Sequence, residues 1–153
     1  ESGRVVKVIF LDFDGVLNSS EFIWTADERG AGHIDPDRVR RVNRIIEATG
    51  AVIVVSSAWR ILYPIETLTE FLVGKGFVGR IYDVTDTMSG TNEGGFRGGQ
   101  ITRWLKANPV TRYVVIDDSE DAGFGHDTNF VHAHEGIEDA DVEVAICILG
   151  GTP

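Results

Sequence analysis

Two aspartates, Asp12 and Asp14, stand two residues apart at the end of the apolar run Val8-Ile9-Phe10-Leu11, and Gly15 follows at once. Residues two apart on an extended chain project to the same side, and glycine lets the backbone turn sharply and approach a ligand closely. A second acidic pair, Asp117-Asp118, follows another apolar run, Val114-Val115-Ile116. One acid after a strand is ordinary loop or capping chemistry. Two pairs on one edge would repel unless a cation neutralised them, and all-oxygen donors select a hard ion such as Mg²⁺.

Ser56 and Ser57 close a third apolar run, 51–55, with Arg60 four residues beyond Ser56. A serine at a strand end either caps the following loop or donates to a ligand. Arg60 has two readings, a surface ion pair or a hold on a second substrate anion.

These residues need elements that bring them together. Val5–Asp12 is a continuous β-branched run without polar alternation, as in a strand buried on both faces. Asp35-Pro36 opens a helix with Val39, Val42, Ile45 and Ile46 on its apolar side, and Gly50 stops it. A strand over 51–55, a helix over 64–75, a strand over 78–84 and a loop over 85–99 follow. Then come a helix over 98–107, a strand over 113–116, a short strand over 129–132, and a final helix near 137–149, preferred to a strand reading of Val142–Leu149. Such alternation predicts a Rossmann-like three-layer α/β/α sandwich on a mainly parallel five-stranded sheet, as one domain over 1–153. Ligands of such sheets bind beyond the carboxyl ends of the strands, where Asp12, Asp14, Ser56, Asp117 and Asp118 are predicted to arrive.

The bulk composition narrows the function classes. The 153 residues carry 42% hydrophobic and 25% charged side chains, the balance of a globular protein, and a formal net charge of −10. That charge disfavours extensive contact with a nucleic-acid backbone, though not a pocket for one phosphate. Cys147 is the only cysteine, so no internal disulfide is expected and a reducing, cytoplasmic setting is the natural reading. No stretch approaches the roughly 18 apolar residues that span a bilayer, so no membrane partner is expected.

The motifs resemble those of the haloacid dehalogenase (HAD) superfamily of aspartate-nucleophile phosphatases. Its Asp-x-Asp-Gly motif stands here as Asp12-Phe13-Asp14-Gly15-Val16, its strand ending in Ser or Thr as Val52–Val55 with Ser56 or Ser57, and its terminal acidic pair as Asp117-Asp118. The resemblance implies that Asp12 is the nucleophile, forming an aspartyl-phosphate, and that Asp14 protonates the leaving oxygen and then activates water. It also implies Mg²⁺ held by Asp12, the Asp14 backbone carbonyl and Asp117, with Asp118 as a ligand or just behind the ligands, Ser56 donating to a phosphoryl oxygen, and Gly15 and Ser57 near the substrate. A dehalogenase would not need the second acid, so Asp14 favours phosphoryl transfer. The family's balancing cation, often Lys, is expected to be Arg97, at the start of the third predicted helix where backbone amides also favour anions. Lys75 and Lys106 are its rivals. The segment Arg97–Leu105 and the helix after Gly136-Ile137 further resemble the small HAD domains of RNA-repair proteins, which makes a polynucleotide end one candidate substrate.

Other features carry less. The segment Asn18–Ile34 has no room for a large cap, and its Phe22, Ile23 and Trp24 either form a short flap over the site or cover the core edge. His132 and His134 lack further ligands at zinc spacing and read as a strand-end polar pair. Asp121, His126 and Asp127 read as a solvated loop or as outer contacts of the metal or substrate. Gly94-Gly95 and Gly98-Gly99 lack the Lys-Ser/Thr of a P-loop. The alternative to a phosphatase is a non-catalytic phosphoryl-binding or phospho-acceptor module, which would not require Asp14.

Overall fold

The computed structural model describes residues 7–25, 30–87 and 96–152, with the side chains of residues 24, 25, 30 and 96 outside that description. Five strands form one sheet: β1 (Lys7–Leu11), β2 (Val52–Val55), β3 (Ile81–Val84), β4 (Arg112–Asp117) and β5 (Phe130–His132). The spatial order is β3-β2-β1-β4-β5, and every pairing is parallel. The chain moves outward from β1 through β2 to β3 and then returns to the other side of β1. The switch point therefore lies between β1 and β4, the position where open α/β sheets bind ligands. This is the expected Rossmann-like α/β fold.

The helices are α1 (Ser20–Thr25), α2 (Pro36–Thr49), α3 (Trp59–Leu62), α4 (Ile65–Val73), α5 (Phe96–Ala107) and α6 (Asp139–Ile148). None among the described residues is long and apolar enough to cross a membrane. The two faces are unequal. One face packs Ile9, Leu11, Ile53, Val55, Val114 and Ile116 against the inward residues of α2, α4 and α6. The other packs Val8, Phe10, Val54 and Val115 against Ile101 and Trp104 of α5 and Ala122. Phe10 and Trp104 meet edge to face with centroids 5.4 Å apart, a geometry aromatic quadrupoles favour.

Local sequence sets the element ends. Asp35 caps α2 by accepting the Asp37 N–H, Pro36 occupies the first turn, and Gly50 closes the helix at φ 74. Three expectations need correction. The third strand starts at Ile81 and not at Val78, because Val78 is exposed and its N–H is spent on Asn43 Oδ1. The segment after Ser57 turns at once into the four-residue α3, too short to show periodicity. Finally, α5 begins at Phe96, inside the segment expected to be loop. Val5 and Val6, expected in the first strand, lie outside the described residues, as do Gly94 and Gly95.

Candidate active site

Each described strand ends in, or is followed at once by, a polar residue, and strand parity puts these five on the α5 face. Register pairs Leu11 with Val55 and with Ile116, Val55 with Val84, and Asp117 with His132. One step on, Thr85, Ser56, Asp12, Asp117 and His132 form a row across β3, β2, β1, β4 and β5. Their neighbours two residues back, Val54, Phe10, Val115 and Phe130, all belong to the α5-side core, so the row faces the same way. Four of its members, Thr85, Ser56, Asp12 and Asp117, are buried.

The loop after β1 is pinned from several directions. Phe13 is fully buried, with its ring 5.2 Å from that of Trp59, so the flanking aspartates stay at the surface of the site. Asn18, also buried, accepts the Gly15 N–H at 2.8 Å and donates to Asp14 Oδ1 at 3.2 Å and to the His33 carbonyl at 3.0 Å. It therefore orients the exposed Asp14 carboxylate. Gly15 is at φ 83, where any Cβ would collide with the Asp118 carboxylate. Its carbonyl and that of Val16 accept the N–H groups of Gly136 and Ile137 at 2.9 and 2.8 Å.

Asp12, Asp117 and Asp118 bring one carboxylate oxygen each to within 4.8 Å of one another. Those separations suit a single octahedral hard ion, across which two oxygens lie about 4.2 Å apart. Asp14 directs its carboxylate to Asn18, outside that trio. Burial and the adjacent Asp117 push the Asp12 carboxyl up to about 9, against the pull of Arg97. Burial raises Asp117 as well, so a divalent cation would compete with protons for these oxygens. The carboxylate trio fits Mg²⁺ in donor type and spacing. On the neighbouring strand, Ser56 Oγ is buried and has no hydrogen-bond partner among the described residues, although buried hydroxyls are normally satisfied.

Arg97 stands in the first turn of α5, with Nη1 3.0 Å from Asp117 Oδ2 and 3.2 Å from Asp12 Oδ1. Burial works against its charge, but Asp117 and Asp12 outweigh that and raise its pKa. Its N–H donates to Asp121 Oδ2 at 2.7 Å, so Asp121 caps α5 from 24 residues away. Lys106 sits in the last turn of α5, at the opposite end, and Lys75 just beyond α4.

Arg60 is not a free anion hook. Its guanidinium donates to the carbonyls of Thr85 (3.0 Å), Asp86 (2.8 Å) and Ser57, and to Gln100 Oε1 (2.9 Å). It ties the ends of β2 and β3 to α5, and its charge still acts at the site. Burial and the nearby Arg97 lower its pKa, while Asp86 and Asp12 oppose them. The Ser57 hydroxyl accepts the Trp59 N–H at 3.2 Å and so starts α3.

Several contributors lay outside the sequence reading. Asn18 and Gln100 are buried polar side chains that organise the charged residues around them. His126, expected in a solvated loop, is buried: Nε2 lies 3.0 Å from the Gly98 carbonyl and Nδ1 2.8 Å from the Tyr113 hydroxyl. The Gly98 carbonyl can only accept, so Nε2 carries a hydrogen. Gly98 itself lets the α5 backbone sit against the loop, since a Cβ there would lie 2.5 Å from the Phe124 carbonyl oxygen.

Comparison with curated proteins and with solved structures returned no match. The model of the HAD domain in Swiss Army Knife RNA repair proteins matches residues 8–142, from β1 into α6. With that match over most of its length, and with the motif aspartates at the switch point of the sheet, the chain belongs to this HAD-domain family.

Proposed function

We propose that the chain is a Mg²⁺-dependent phosphomonoesterase working through an aspartyl-phosphate on Asp12. The observation that carries this reading is the buried Ser56 Oγ, which has no partner among the described residues, at the strand end next to that of Asp12 in the Asp12–Asp117–Asp118 trio. Mg²⁺ held by Asp12, Asp117, Asp118 and the Asp14 carbonyl would supply charge neutralisation and keep Asp12 ionised at neutral pH.

An Asp12 carboxylate oxygen attacks phosphorus, and the bond from phosphorus to the leaving oxygen breaks. Asp14, held by Asn18 at the solvent side, donates its proton to that oxygen. The alcohol departs, and Asp14, now ionised, takes a proton from a water that attacks the same phosphorus. The Asp12–phosphorus bond breaks, releasing inorganic phosphate and restoring both aspartates. Ser56 and Arg97 steady the equatorial oxygens throughout. The short segment between β1 and α2 suits an open site and a bulky ester, and the family's RNA-repair setting makes a polynucleotide end the leading substrate class.

A substrate panel tests this. p-Nitrophenyl phosphate, phosphorylated metabolites, nucleotides and end-phosphorylated oligonucleotides are incubated with Mg²⁺ or with chelator. Phosphate release that needs Mg²⁺ and falls at least a thousandfold in Asp12→Asn is expected, as for loss of a nucleophile acting in concert with its partners (about 10³ or more). Release that survives Asp12→Asn, or none with any substrate, overturns the reading and favours a phosphoryl-binding module.

A further inference from the structure

Three rings stand in a ladder at the β5 side of the active-site edge. Phe130 and His132 stack with centroids 5.5 Å apart and planes 23° from parallel. The His134 ring lies 3.9 Å beyond His132, tilted by 45°. Phe130 is held from below, since Gly123 packs so closely on its ring that a Cβ there would strike it. His132 is the last member of the polar row, in register with Asp117, and its Nε2–H donates to the Asp118 carbonyl at 2.9 Å. The ladder therefore starts one strand spacing, roughly 4.8 Å, from the carboxylate trio. Its outer rung, His134, is exposed to solvent.

The charge around the site constrains what such a surface can hold. Asp14, Asp118 and Glu135 are all exposed there, and the chain carries −10 overall. Arg97, beside Asp12 and Asp117, serves the reacting phosphate itself, and Arg60 is tied to protein oxygens. A polyanion gains little from ion pairing on this edge, whereas a neutral flat ring gains from stacking, which is indifferent to nearby carboxylates. The base of the ladder is fixed, with Phe130 packed on Gly123 and His132 hydrogen-bonded, so the ordering on binding is confined to the His134 ring.

We infer that the Phe130–His132–His134 ladder is a leaving-group subsite that stacks the nucleobase of a nucleoside phosphomonoester, with His134 as the contacting ring. The assignment rests on the phosphatase reading for the identity of the reacting group, but the stacking surface can be tested apart from turnover. The same chemistry is offered by a mononucleotide and by the terminal nucleotide of a polynucleotide.

Two measurements decide it. In the first, kcat/KM is compared for adenosine 3′- and 5′-monophosphates, an end-phosphorylated oligonucleotide and ribose 5-phosphate, which lacks the base. The ratio of the best base-bearing ester to ribose 5-phosphate is expected to fall about tenfold in His134→Leu. That equals about 1.4 kcal/mol, within the range for one stacked base. His134→Phe, which keeps a flat ring, should restore it. In the second, the ring protons of His132 and His134 are followed by NMR while adenosine monophosphate is added to Asp12→Asn protein with Mg²⁺. Upfield shifts of the His134 signals are expected. A preference for the oligonucleotide over the mononucleotides assigns the source to a polynucleotide end; the reverse assigns it to free nucleotide. Ring shifts without phosphate release from wild-type protein would keep the subsite and sink the phosphatase. Phosphate release with an unchanged ratio in His134→Leu, or ring signals that do not move, overturns the subsite.

Discussion

Ser56 and Ser57 are adjacent and equally buried at 1% exposure, yet their hydroxyls have opposite fates. The Ser57 oxygen accepts the Trp59 N–H at the start of α3, while the Ser56 oxygen meets no partner among the described residues. A buried hydroxyl without a partner is a cost to folding, so its retention makes sense only if it is used in the bound state. The two alanine variants should separate cleanly. Ser56→Ala is expected to leave the melting temperature unchanged or raise it. Its kcat/KM should fall roughly 10- to 100-fold, the worth of a hydrogen bond to a charged oxygen at about 1.5–3 kcal/mol. Ser57→Ala should instead lose about 0.5–1.5 kcal/mol of stability with its hydrogen bond from the Trp59 N–H, and lose activity only in proportion to unfolding. Melting curves and steady-state kinetics on both proteins check the contrast; a destabilised Ser56→Ala with wild-type turnover would contradict it.

At the scale of elements, the site is a product of register. The apolar runs ending in Asp12, Ser56 and Asp117 are visible in the chain, because a strand buried on both faces reads as unbroken hydrophobicity. Thr85 and His132 were not legible as members of the same row. Their face depends on pairing, and the ladder between β2 and β3 shifts at Ile53/Val54; one residue of slip turns every side chain over. Asn18 could have been found, since Asp14 and Gly15 lie four and three residues before it, but Asp121 could not, because its partner is 24 residues away. That long-range cap is what fixes Arg97 over Asp12 and Asp117. Removing it in Asp121→Ala should cost about 0.5–2 kcal/mol and lower kcat severalfold with little change in KM, since the Arg97 backbone is no longer anchored. Asp121→Asn, whose carboxamide oxygen can still accept the Arg97 N–H, should recover most of the kcat. Equal losses in both variants would show that the charge of Asp121, rather than its cap, matters.

For the molecule as a whole, the clustered carboxylates set stability against function. The Asp12 carboxyl rises from 3.8 to about 9 because burial and Asp117 disfavour its charge more than Arg97 favours it. When the folded value lies above the unfolded one, the contribution to stability is whole below the unfolded value and is lost as pH rises toward the folded value. Without a divalent ion, the protein is therefore expected to lose stability between roughly pH 4 and pH 9, read as a falling melting temperature in chelator. Mg²⁺ should reverse this, adding about 2.7 kcal/mol at a hundredfold excess over Kd. The gain should be larger at pH 8 than at pH 6, where protons compete for the same oxygens. Asp12→Asn is the control: it keeps an oxygen for the Phe13 N–H but carries no charge. The variant should melt higher than wild type in chelator, by about 2–4 °C for each kcal/mol regained. Its pH slope should be flatter and its response to Mg²⁺ weaker. A variant with the wild-type slope would mean that the pH dependence arises from the remaining acidic surface. With the expected result, the same carboxylate that is proposed as the nucleophile is the one that weakens the metal-free fold.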